Sequence, residues 1–340
     1  MKSSSNRSAP GACERFHRHL CSARLTRLSP ITRRRFLGQC AFASAGAWLG
    51  PGLLRAGTTA APDLQFPSEP RQRIAIASYP FREFIAGPDH KKDNPSIELK
   101  DFAAHVTEKF NINKIEPWTG HFPSSDPKYL EQFRVAVEKA RAAVINIAVD
   151  GEHSPYAADR AERERAIAFS KQWVHAAAMI GSPSIRTNIP AARDSKPDLD
   201  LTADSLLRVV EDASAKNVVV NLENDNPVSE DPFFLVKLIE RVNSPWLHAL
   251  PDFCNTLAAK DAEYAYRGID GMFGHAYCIS HVKSSETNSK GIRVDVDMAR
   301  TFGIMKRHGY KGYCSMEWDD AGDPYQGTAG LIKATLQYLS

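Results

Sequence analysis

The sequence contains few cysteines, six in 340 residues. Three lie within the first 61 residues: Cys13, Cys21 and Cys40. The others lie in strand-like segments: Cys254, Cys278 and Cys314. Only these last three cysteines lie beyond residue 61, and so small and odd-numbered a set does not suggest a disulfide framework. We expect their thiols to be buried and free. With 43% hydrophobic and 24% charged residues, the composition is that of an ordinary globular protein.

Beyond residue 61 the chain also has no excess of positive charge. The formal net charge is +3, but residues 1–61 hold ten basic residues and one acidic residue. Residues 62–340 therefore carry 33 basic and 39 acidic residues, a formal charge of −6. The basicity belongs to the N-terminal segment, so we expect no nucleic-acid partner.

The longest apolar stretch, residues 36–54, is interrupted by Gln39 and Pro51, which argues against a membrane span. A basic region precedes it and small residues follow it, as in a signal peptide. The segment TRRRFL, residues 32–37, resembles the twin-arginine export signal. We therefore predict a signal and exit segment over residues 1–61 and export to the periplasm. After cleavage no stable membrane association is expected; an uncleaved N-terminal anchor is the alternative.

Short apolar strands alternate with amphipathic helical segments after residue 72, beyond a linker-like stretch at 62–71. The predicted strands are 73–79, 113–118, 144–150, 183–188, 217–223, 247–252, 276–283 and 312–318. The predicted helices are 98–110, 127–142, 157–180, 202–215, 232–242, 258–270, 294–308 and 328–339, of which 258–270 has the weakest pattern.

Eight strands alternating with helices predict parallel pairing and an α/β fold. The strand ends recur every 29 to 38 residues. No Gly-x-Gly-x-x-Gly fingerprint follows the first strand, which disfavours an open dinucleotide-binding sheet. Residues 72–340 are therefore predicted to form a (β/α)8 TIM barrel.

The last four predicted strands end at Glu223, Asp252, His281 and Glu317. In a parallel barrel all strands end at the same face, so these side chains are expected to meet. Three carboxylates and an imidazole at close range would repel strongly unless a cation neutralised them. Any one alone could be a solvated loop residue or a core residue. Together they predict one divalent metal ion, with Mn²⁺, Mg²⁺, Co²⁺ and Zn²⁺ all compatible.

Four short motifs resemble the xylose-isomerase-like barrels, which include sugar isomerases and epimerases, inosose dehydratases and endonuclease IV. The motifs are NLEND, PDFCN, SHVKSS and SMEWDD, around Glu223, Asp252, His281 and Glu317 respectively. The resemblance implies that these four residues bind one divalent metal. It also implies that Glu223 and Glu317 are catalytic and transfer the proton, as the corresponding glutamates do in the epimerases.

A divalent cation that polarises a carbonyl lowers the cost of removing a proton from the adjacent carbon. Two carboxylates facing the sugar could take and return that proton. Lys283 follows His281 by two residues on the same side of its strand and could hold a substrate oxygen. An equally acceptable interpretation is a lysine that snorkels at the barrel rim.

Other strand ends supply candidate substrate-binding residues: Glu116, Trp118, His121, His153, Arg186 and Asn255. Glu116 is notable because it repeats the pattern of Glu223, an apolar strand interrupted by an acid. Aromatic side chains could form flat walls for a sugar ring: Tyr79, Phe81, Trp118 and Trp318. Aromatic residues near a barrel rim also serve as ordinary packing.

The chain departs from its relatives at several positions. Asn255 and Asp297 stand where endonuclease IV carries metal-binding histidines, so a three-metal site is disfavoured. Ser284 replaces the aspartate that follows the lysine in many relatives, and Thr287 stands where some keto-sugar epimerases have arginine. The resemblance therefore does not define a substrate.

The leading hypothesis is an exported, metal-dependent carbohydrate isomerase or epimerase, or a related enediolate-forming lyase or dehydratase. Its substrate would be a small carbohydrate, a keto-sugar or oxidised glycoside. Because sugar phosphates are mainly cytoplasmic, export favours an unphosphorylated substrate. The alternatives are a phosphodiesterase similar to endonuclease IV and a non-catalytic sugar-binding barrel.

Overall fold

The computed structural model of the chain describes residues 60–88 and 96–340. All eight predicted strands form, with shorter ends than the sequence suggests. The strands are β1 (Ile74–Ala77), β2 (Lys114–Glu116), β3 (Ala143–Val144), β4 (Ile147–Val149), β5 (Ser184–Thr187), β6 (Val219–Glu223), β7 (Leu247–Leu250), β8 (Ile279–Val282), β9 (Ser285–Thr287), β10 (Arg293–Asp295) and β11 (Tyr313–Met316). The third predicted strand is divided into β3 and β4, and β9 with β10 is an additional hairpin.

The helices are α1 (Phe102–Phe110), α2 (Pro127–Lys139), α3 (Arg160–Ile180), α4 (Leu199–Ser214), α5 (Pro232–Val242), α6 (Asn255–Ala259), α7 (Ala262–Phe273), α8 (Met298–Arg307) and α9 (Pro324–Leu339). Aspartate begins most of them, because its carboxylate accepts hydrogen bonds from the unpaired N–H groups of the first turn. These capping residues are Asp159, Asp198, Asp231, Asp261, Asp297 and Asp323. Proline occupies the first turn of α2, α5 and α9, where no N–H is needed.

The strands form a closed parallel barrel. One parallel sheet has the order β3-β2-β1-β11-β8, and the other has the order β4-β5-β6-β7. Isolated parallel bridges join the two sheets on both sides, Trp118 to Ala148 on one side and Asp252 to His281 on the other. The predicted (β/α)8 TIM barrel is therefore confirmed.

Two local predictions were incomplete. The weak helical segment 258–270 is two helices, α6 and α7. The predicted start of a helix at 294 belongs instead to the hairpin, where Val294 pairs with Glu286 in an antiparallel ladder. The alternating sequence IRVDV favours this strand, and the helix starts only after its cap at Asp297.

The apolar faces of the helices pack on the outside of the barrel. In α3 the apolar stripe is buried at Ala166, Trp173, Ala177 and Ile180, and Phe169 is half-buried against the same core. Cys254, Cys278 and Cys314 are buried and make no disulfide within the described residues, as expected.

The predicted linker packs on the barrel at the N-terminal ends of the strands. Tyr277 donates a hydrogen bond to the Pro62 carbonyl (3.0 Å) and accepts one from the Leu64 N–H (3.1 Å). The Phe66 ring meets Tyr277 edge to face at 5.3 Å. Residues 1–59, which contain almost all of the predicted export signal, lie outside the described residues. In residues 60–88 and 96–340, no helix combines the length and the apolarity that crossing a membrane requires.

Replacing Gly312 by alanine tests the packing of β11 against β8. A Cβ at this position would lie 2.5 Å from the carbonyl oxygens of Tyr277 and Cys278, which are backbone atoms and cannot rotate away. We expect Gly312→Ala to lower the free energy of unfolding by about 1–3 kcal/mol, measured by urea denaturation.

Gly330→Ala is the matched control, since Gly330 lies in α9 with no atom within 4 Å of its would-be Cβ. Alanine there should raise the free energy of unfolding by up to about 1 kcal/mol. Equal stabilities of the two variants would contradict this packing.

Candidate metal centre

Four side chains from consecutive barrel strands converge at the C-terminal face of the barrel. Glu223 ends β6, Asp252 follows β7, His281 lies in β8, and Glu317 follows β11. Each can offer one ligand atom, and these atoms all lie within 4.8 Å of one another. All four side chains are buried. The parallel barrel thus brings together the four residues that the sequence nominated as metal ligands.

Asp252 has one carboxylate oxygen committed to the backbone and one without a partner. Its Oδ1 accepts hydrogen bonds from the N–H groups of Cys254 (2.8 Å) and Asn255 (2.6 Å). Its Oδ2 is buried and has no hydrogen-bond partner among the described residues. The Nζ of Lys283, 3.7 Å from Oδ2, is too far for a hydrogen bond. Burial raises the pKa of Asp252 to about 6.

His281 lies between carboxylates on both sides of its ring. Its Nδ1 is 2.8 Å from Glu223 Oε1 and 3.1 Å from Glu317 Oε2. Its Nε2 is 3.0 Å from both oxygens of Glu116. Burial alone would lower the pKa of the imidazole. The surrounding carboxylates outweigh burial and raise this pKa well above its ordinary value.

Each of the two candidate catalytic glutamates also faces a cation. Glu223 Oε2 lies 2.9 Å from Arg186 Nε; this is an ion pair by distance, although the N–H is not aligned for a hydrogen bond. Glu317 Oε2 lies 3.4 Å from Lys283 Nζ. Burial raises the pKa of Glu223, while His281 and Arg186 lower it. Burial has the larger effect, so the pKa of Glu223 lies above its ordinary value. For Glu317 burial also acts upward, but His281 and Lys283 outweigh it and hold the pKa below its ordinary value.

These residues fit a divalent cation. Three carboxylates and one imidazole nitrogen form a ligand set that suits Mg²⁺, Mn²⁺, Co²⁺ or Zn²⁺. The unpartnered Oδ2 of Asp252 is the clearest sign, because an unpaired buried carboxylate oxygen is costly without a cation. The Nδ1 of His281 faces the other oxygens at the same place.

The cluster lies at the base of an open, polar cavity. The lining residues are Tyr79, Trp118, Ala148, Asp150, Arg186, Glu223, Asp225, Asn255, Lys283, Glu286, Glu317 and Asp319. Tyr79 and Trp118 meet edge to face at 5.4 Å and form one aromatic corner of the cavity. The Trp118 indole N–H donates to Asp150 (2.6 Å), which fixes the orientation of this ring.

Four predicted substrate-binding residues line this cavity: Trp118, Arg186, Asn255 and Lys283. Asn255 donates to Glu223 Oε1 (3.2 Å) and accepts a hydrogen bond from Lys283 (2.7 Å). Lys283 is buried at the base of the cavity, 4% exposed, and does not snorkel at the rim. Arg186 is also buried and hydrogen-bonded to Asp150.

Three other predicted substrate-binding residues do not line this cavity. Glu116 is 1% exposed and lies behind His281 rather than in the cavity. His121 is fully buried and its Nδ1 bonds Ser78 at 2.9 Å. His153 lies outside the cavity lining, and its Nδ1 is 2.9 Å from Glu162 in α3.

Two predicted aromatic wall residues also serve the core. Phe81 is fully buried and packs at 5.1 Å from the ring of Tyr325 in α9. The Trp318 indole packs so closely against Gly327 of α9 that a Cβ on residue 327 would clash with the indole ring. Tyr79 and Trp118 remain as the predicted aromatic residues that line the cavity.

The sequence analysis did not nominate four acidic residues that line the cavity: Asp150, Asp225, Glu286 and Asp319. Asp150 ends the third predicted strand, and Asp225 and Asp319 each follow a metal-ligand candidate by two residues. The sequence positions of these three aspartates could therefore have identified them as site residues. Glu286 reaches the cavity through the β9–β10 hairpin, which the sequence analysis did not predict.

A protein-family model described as xylose isomerase-like TIM barrel matches residues 105–339. No curated protein matches the chain significantly. Among solved structures, one similar fold is a xylose isomerase-like TIM barrel protein from Mycobacterium smegmatis in complex with magnesium. It is 17% identical to this chain, with a TM-score of 0.61. The match covers 79% of this chain and 96% of that chain.

Two sugar epimerases have similar folds. D-allulose 3-epimerase from Methylomonas sp. is 11% identical, with a TM-score of 0.61, over 81% of this chain and 100% of that chain. The 3-keto-D-glucoside 4-epimerase from E. coli is 14% identical, with a TM-score of 0.57, over 78% of this chain and 99% of that chain. At these identities the likeness establishes the fold.

Asp252→Asn tests the metal centre directly. The amide oxygen can still accept the two backbone hydrogen bonds, while an NH₂ group replaces the unpartnered Oδ2. Loss of a supporting partner of a metal ligand already costs about 10–100-fold in affinity, so loss of a ligand should cost about 100-fold or more. Titration calorimetry with Mn²⁺ measures this change.

Asp319→Asn is the control, since it removes the same charge at the cavity mouth, where Asp319 pairs with Arg82 at 2.6 Å. Its Mn²⁺ affinity should stay within about threefold of the unmodified protein, because charges near the surface are screened. Equal affinity in Asp252→Asn and the unmodified protein would exclude Asp252 as a ligand.

Metal affinity should fall as the pH is lowered. Asp252, with a pKa of about 6 in the metal-free protein, must lose its proton to bind a cation, and so must the Nδ1 of His281. We expect Mn²⁺ binding to weaken by about tenfold or more between pH 7 and pH 5. Calorimetry in buffers of different ionisation enthalpy counts the released protons. An affinity that is constant over this range would contradict the assignment.

Proposed function

Because the chain belongs to the xylose isomerase-like TIM barrel family, we propose that it is a divalent-metal-dependent carbohydrate isomerase or epimerase, or a related lyase. Its substrate would be a keto-sugar or an oxidised glycoside that exchanges a proton next to its carbonyl. The observation that carries this proposal is the convergence of four buried ligands, two of them glutamates on the wall of a polar cavity. The epimerase names of two structural neighbours support the same class.

Glu223, Asp252, His281 and Glu317 would hold the cation. When bound, it supplies positive charge that lowers the cost of removing a proton next to a carbonyl. Glu223 and Glu317 both line the cavity, so each can reach a substrate lying against the cluster. One takes the proton from carbon and the other returns a proton, either to the opposite face or to the neighbouring carbon.

The remaining lining residues bind and orient the substrate. Lys283 can donate to a substrate oxygen, because its ammonium lies at the base of the cavity and Asn255 holds it in place. The corner formed by Tyr79 and Trp118 offers an aromatic surface to the C–H face of a sugar ring. Asp150 holds both Trp118 and Arg186, so the aromatic wall and the arginine are fixed relative to each other.

The charge of the cavity favours an unphosphorylated substrate. Six carboxylates and two cations line it. Both cations are already engaged: Arg186 pairs with Asp150 and Glu223, and Lys283 pairs with Glu286 and Glu317. No cation among the lining residues is left to pair with a phosphate, which binds best to a free arginine or lysine. The proposed twin-arginine export to the periplasm favours the same substrate class.

A phosphodiesterase similar to endonuclease IV has less support. Within the described residues, the four side chains above are the one group that could hold a metal. Asp297, which stands where endonuclease IV has a ligand, instead accepts a hydrogen bond from the Arg300 N–H (2.9 Å) and caps α8. Asn255 is hydrogen-bonded inside the cavity and is a weaker ligand than histidine.

Solvent isotope exchange tests the proposed reaction. Protein loaded with Mn²⁺ in D₂O should place deuterium on the carbon next to the carbonyl of a ketohexose or a 3-keto-glycoside, detected by NMR. Glu223→Gln and Glu317→Gln should each lower the exchange rate about 100-fold or more at saturating Mn²⁺, because general acid–base groups contribute about 10²–10⁴-fold.

Asp297→Asn is the control, because asparagine also caps helices and the residue lies outside the cavity. Its exchange rate should match that of the unmodified protein. A phosphorylated ketose should exchange more slowly than its unphosphorylated counterpart. If the metal-loaded protein exchanges no deuterium into any of these sugars, the proposed reaction is contradicted; a sugar that binds and is recovered unchanged would then indicate a non-catalytic sugar-binding barrel.

A further inference from the structure

Glu116 has a position that substrate binding does not explain. It ends β2 and is 1% exposed, with both carboxylate oxygens 3.0 Å from Nε2 of His281. The opposite ring nitrogen, Nδ1, faces Glu223 and Glu317 in the metal cluster. Glu116 therefore contacts the far side of one metal-ligand candidate and does not line the cavity.

A hydrogen-bond network inside the barrel holds Glu116 in place. Asn146, in the break between β3 and β4, donates from Nδ2 to Glu116 Oε1 at 2.7 Å. The Oδ1 of Asn146 accepts from Asn221 Nδ2 (3.4 Å) and lies 2.6 Å from the Ser184 hydroxyl. These donors fix the amide orientation, so that Nδ2 points to Glu116. The carboxylate is therefore aimed at His281 by groups that have no contact with the cavity.

An ionised carboxylate can only accept hydrogen bonds, so the Nε2 of His281 must carry the proton in this contact. The neutral imidazole then has its lone pair on Nδ1, which points at the cluster. A histidine that binds a metal needs an unprotonated nitrogen toward the ion, and the partner of its other nitrogen selects that form.

We propose that Glu116, held by Asn146, is a positioning residue that keeps His281 in the Nε2–H form with Nδ1 available to the metal. This rests on the metal centre of the proposed function. A purely structural role explains the arrangement less well, because an apolar side chain would fill the same volume without the cost of burying a charge. The break that divides the third barrel strand places Asn146 where this network needs it.

Glu116→Gln is the variant of choice, because it preserves size and removes the charge. Its control is Glu162→Gln, which removes the carboxylate from a Glu–His contact outside the cavity, where Glu162 lies 2.9 Å from Nδ1 of His153. Mn²⁺ affinity is measured by calorimetry on both variants, and the melting temperature of each metal-free protein verifies that it is folded. We expect about a tenfold or greater loss of affinity in Glu116→Gln and less than threefold in Glu162→Gln.

The second readout needs no change at Glu116. Nitrogen-15 NMR of histidine-labelled protein holding Zn²⁺ reports which ring nitrogen carries the proton, and His281→Gln identifies the signal among the eleven histidines. We expect a protected Nε2–H and a metal-bound Nδ1. In Glu116→Gln the Nε2–H signal of the metal-bound protein should lose its protection from exchange, because the carboxylate that accepts this hydrogen bond is gone.

Three results would overturn the proposal. The first is unchanged Mn²⁺ affinity in a folded Glu116→Gln, and the second is a His281 spectrum in which Nε2 binds the metal. In both cases the unmodified protein still binds Mn²⁺, so the metal centre stands and only the role of Glu116 fails. The third is an unmodified protein that binds no divalent metal, which removes the metal centre as well.

Discussion

The structure depends on the neutralisation of a buried acidic cluster. Glu223, Asp252 and Glu317 share one small volume with His281: one ligand atom of each lies within 4.8 Å of the others, and all four residues are buried. Burial raises the pKa of Asp252 to about 6, and one oxygen of that residue has no hydrogen-bond partner in the described part of the chain. Such an arrangement is costly unless positive charge enters it. Protons on His281 can supply part of that charge, and a divalent cation would supply more at the point where the four candidate ligands converge.

The fold provides the cluster and its surroundings by one rule. Parallel strands of a barrel all end at one face, so side chains far apart in the sequence meet there. The same rule brings Arg186 from β5 to Glu223, and Lys283 from the end of β8 to Glu317. These cations are paired with the cavity's own carboxylates, which is why we propose an uncharged, hydroxyl-rich substrate for this polar site. Below the site, the network through Asn146 and Glu116 supports His281 from inside the barrel.

The sequence was sufficient to predict which residues meet when each of them lies at the end of a strand. Glu223 and Asp252 could be placed together because each closes an apolar strand in a regular alternation. Glu116 shows the same pattern as Glu223, but its carboxylate contacts Nε2 of His281 and does not line the cavity. Which strand ends reach the cavity depends on strand stagger, which sequence periodicity does not report. His153 does not line the cavity either, and it contacts Glu162 of the following helix, a pairing that strand alternation does not predict.

The central claim is that one cation binds at the meeting point of the last four barrel strands. A crystal structure of the protein soaked in Mn²⁺, with anomalous data collected at the manganese edge, tests it most directly. The account predicts one strong anomalous peak within bonding distance of Glu223, Asp252, His281 Nδ1 and Glu317. Manganese bound elsewhere, or at this place without Asp252 and His281 among its ligands, would contradict it.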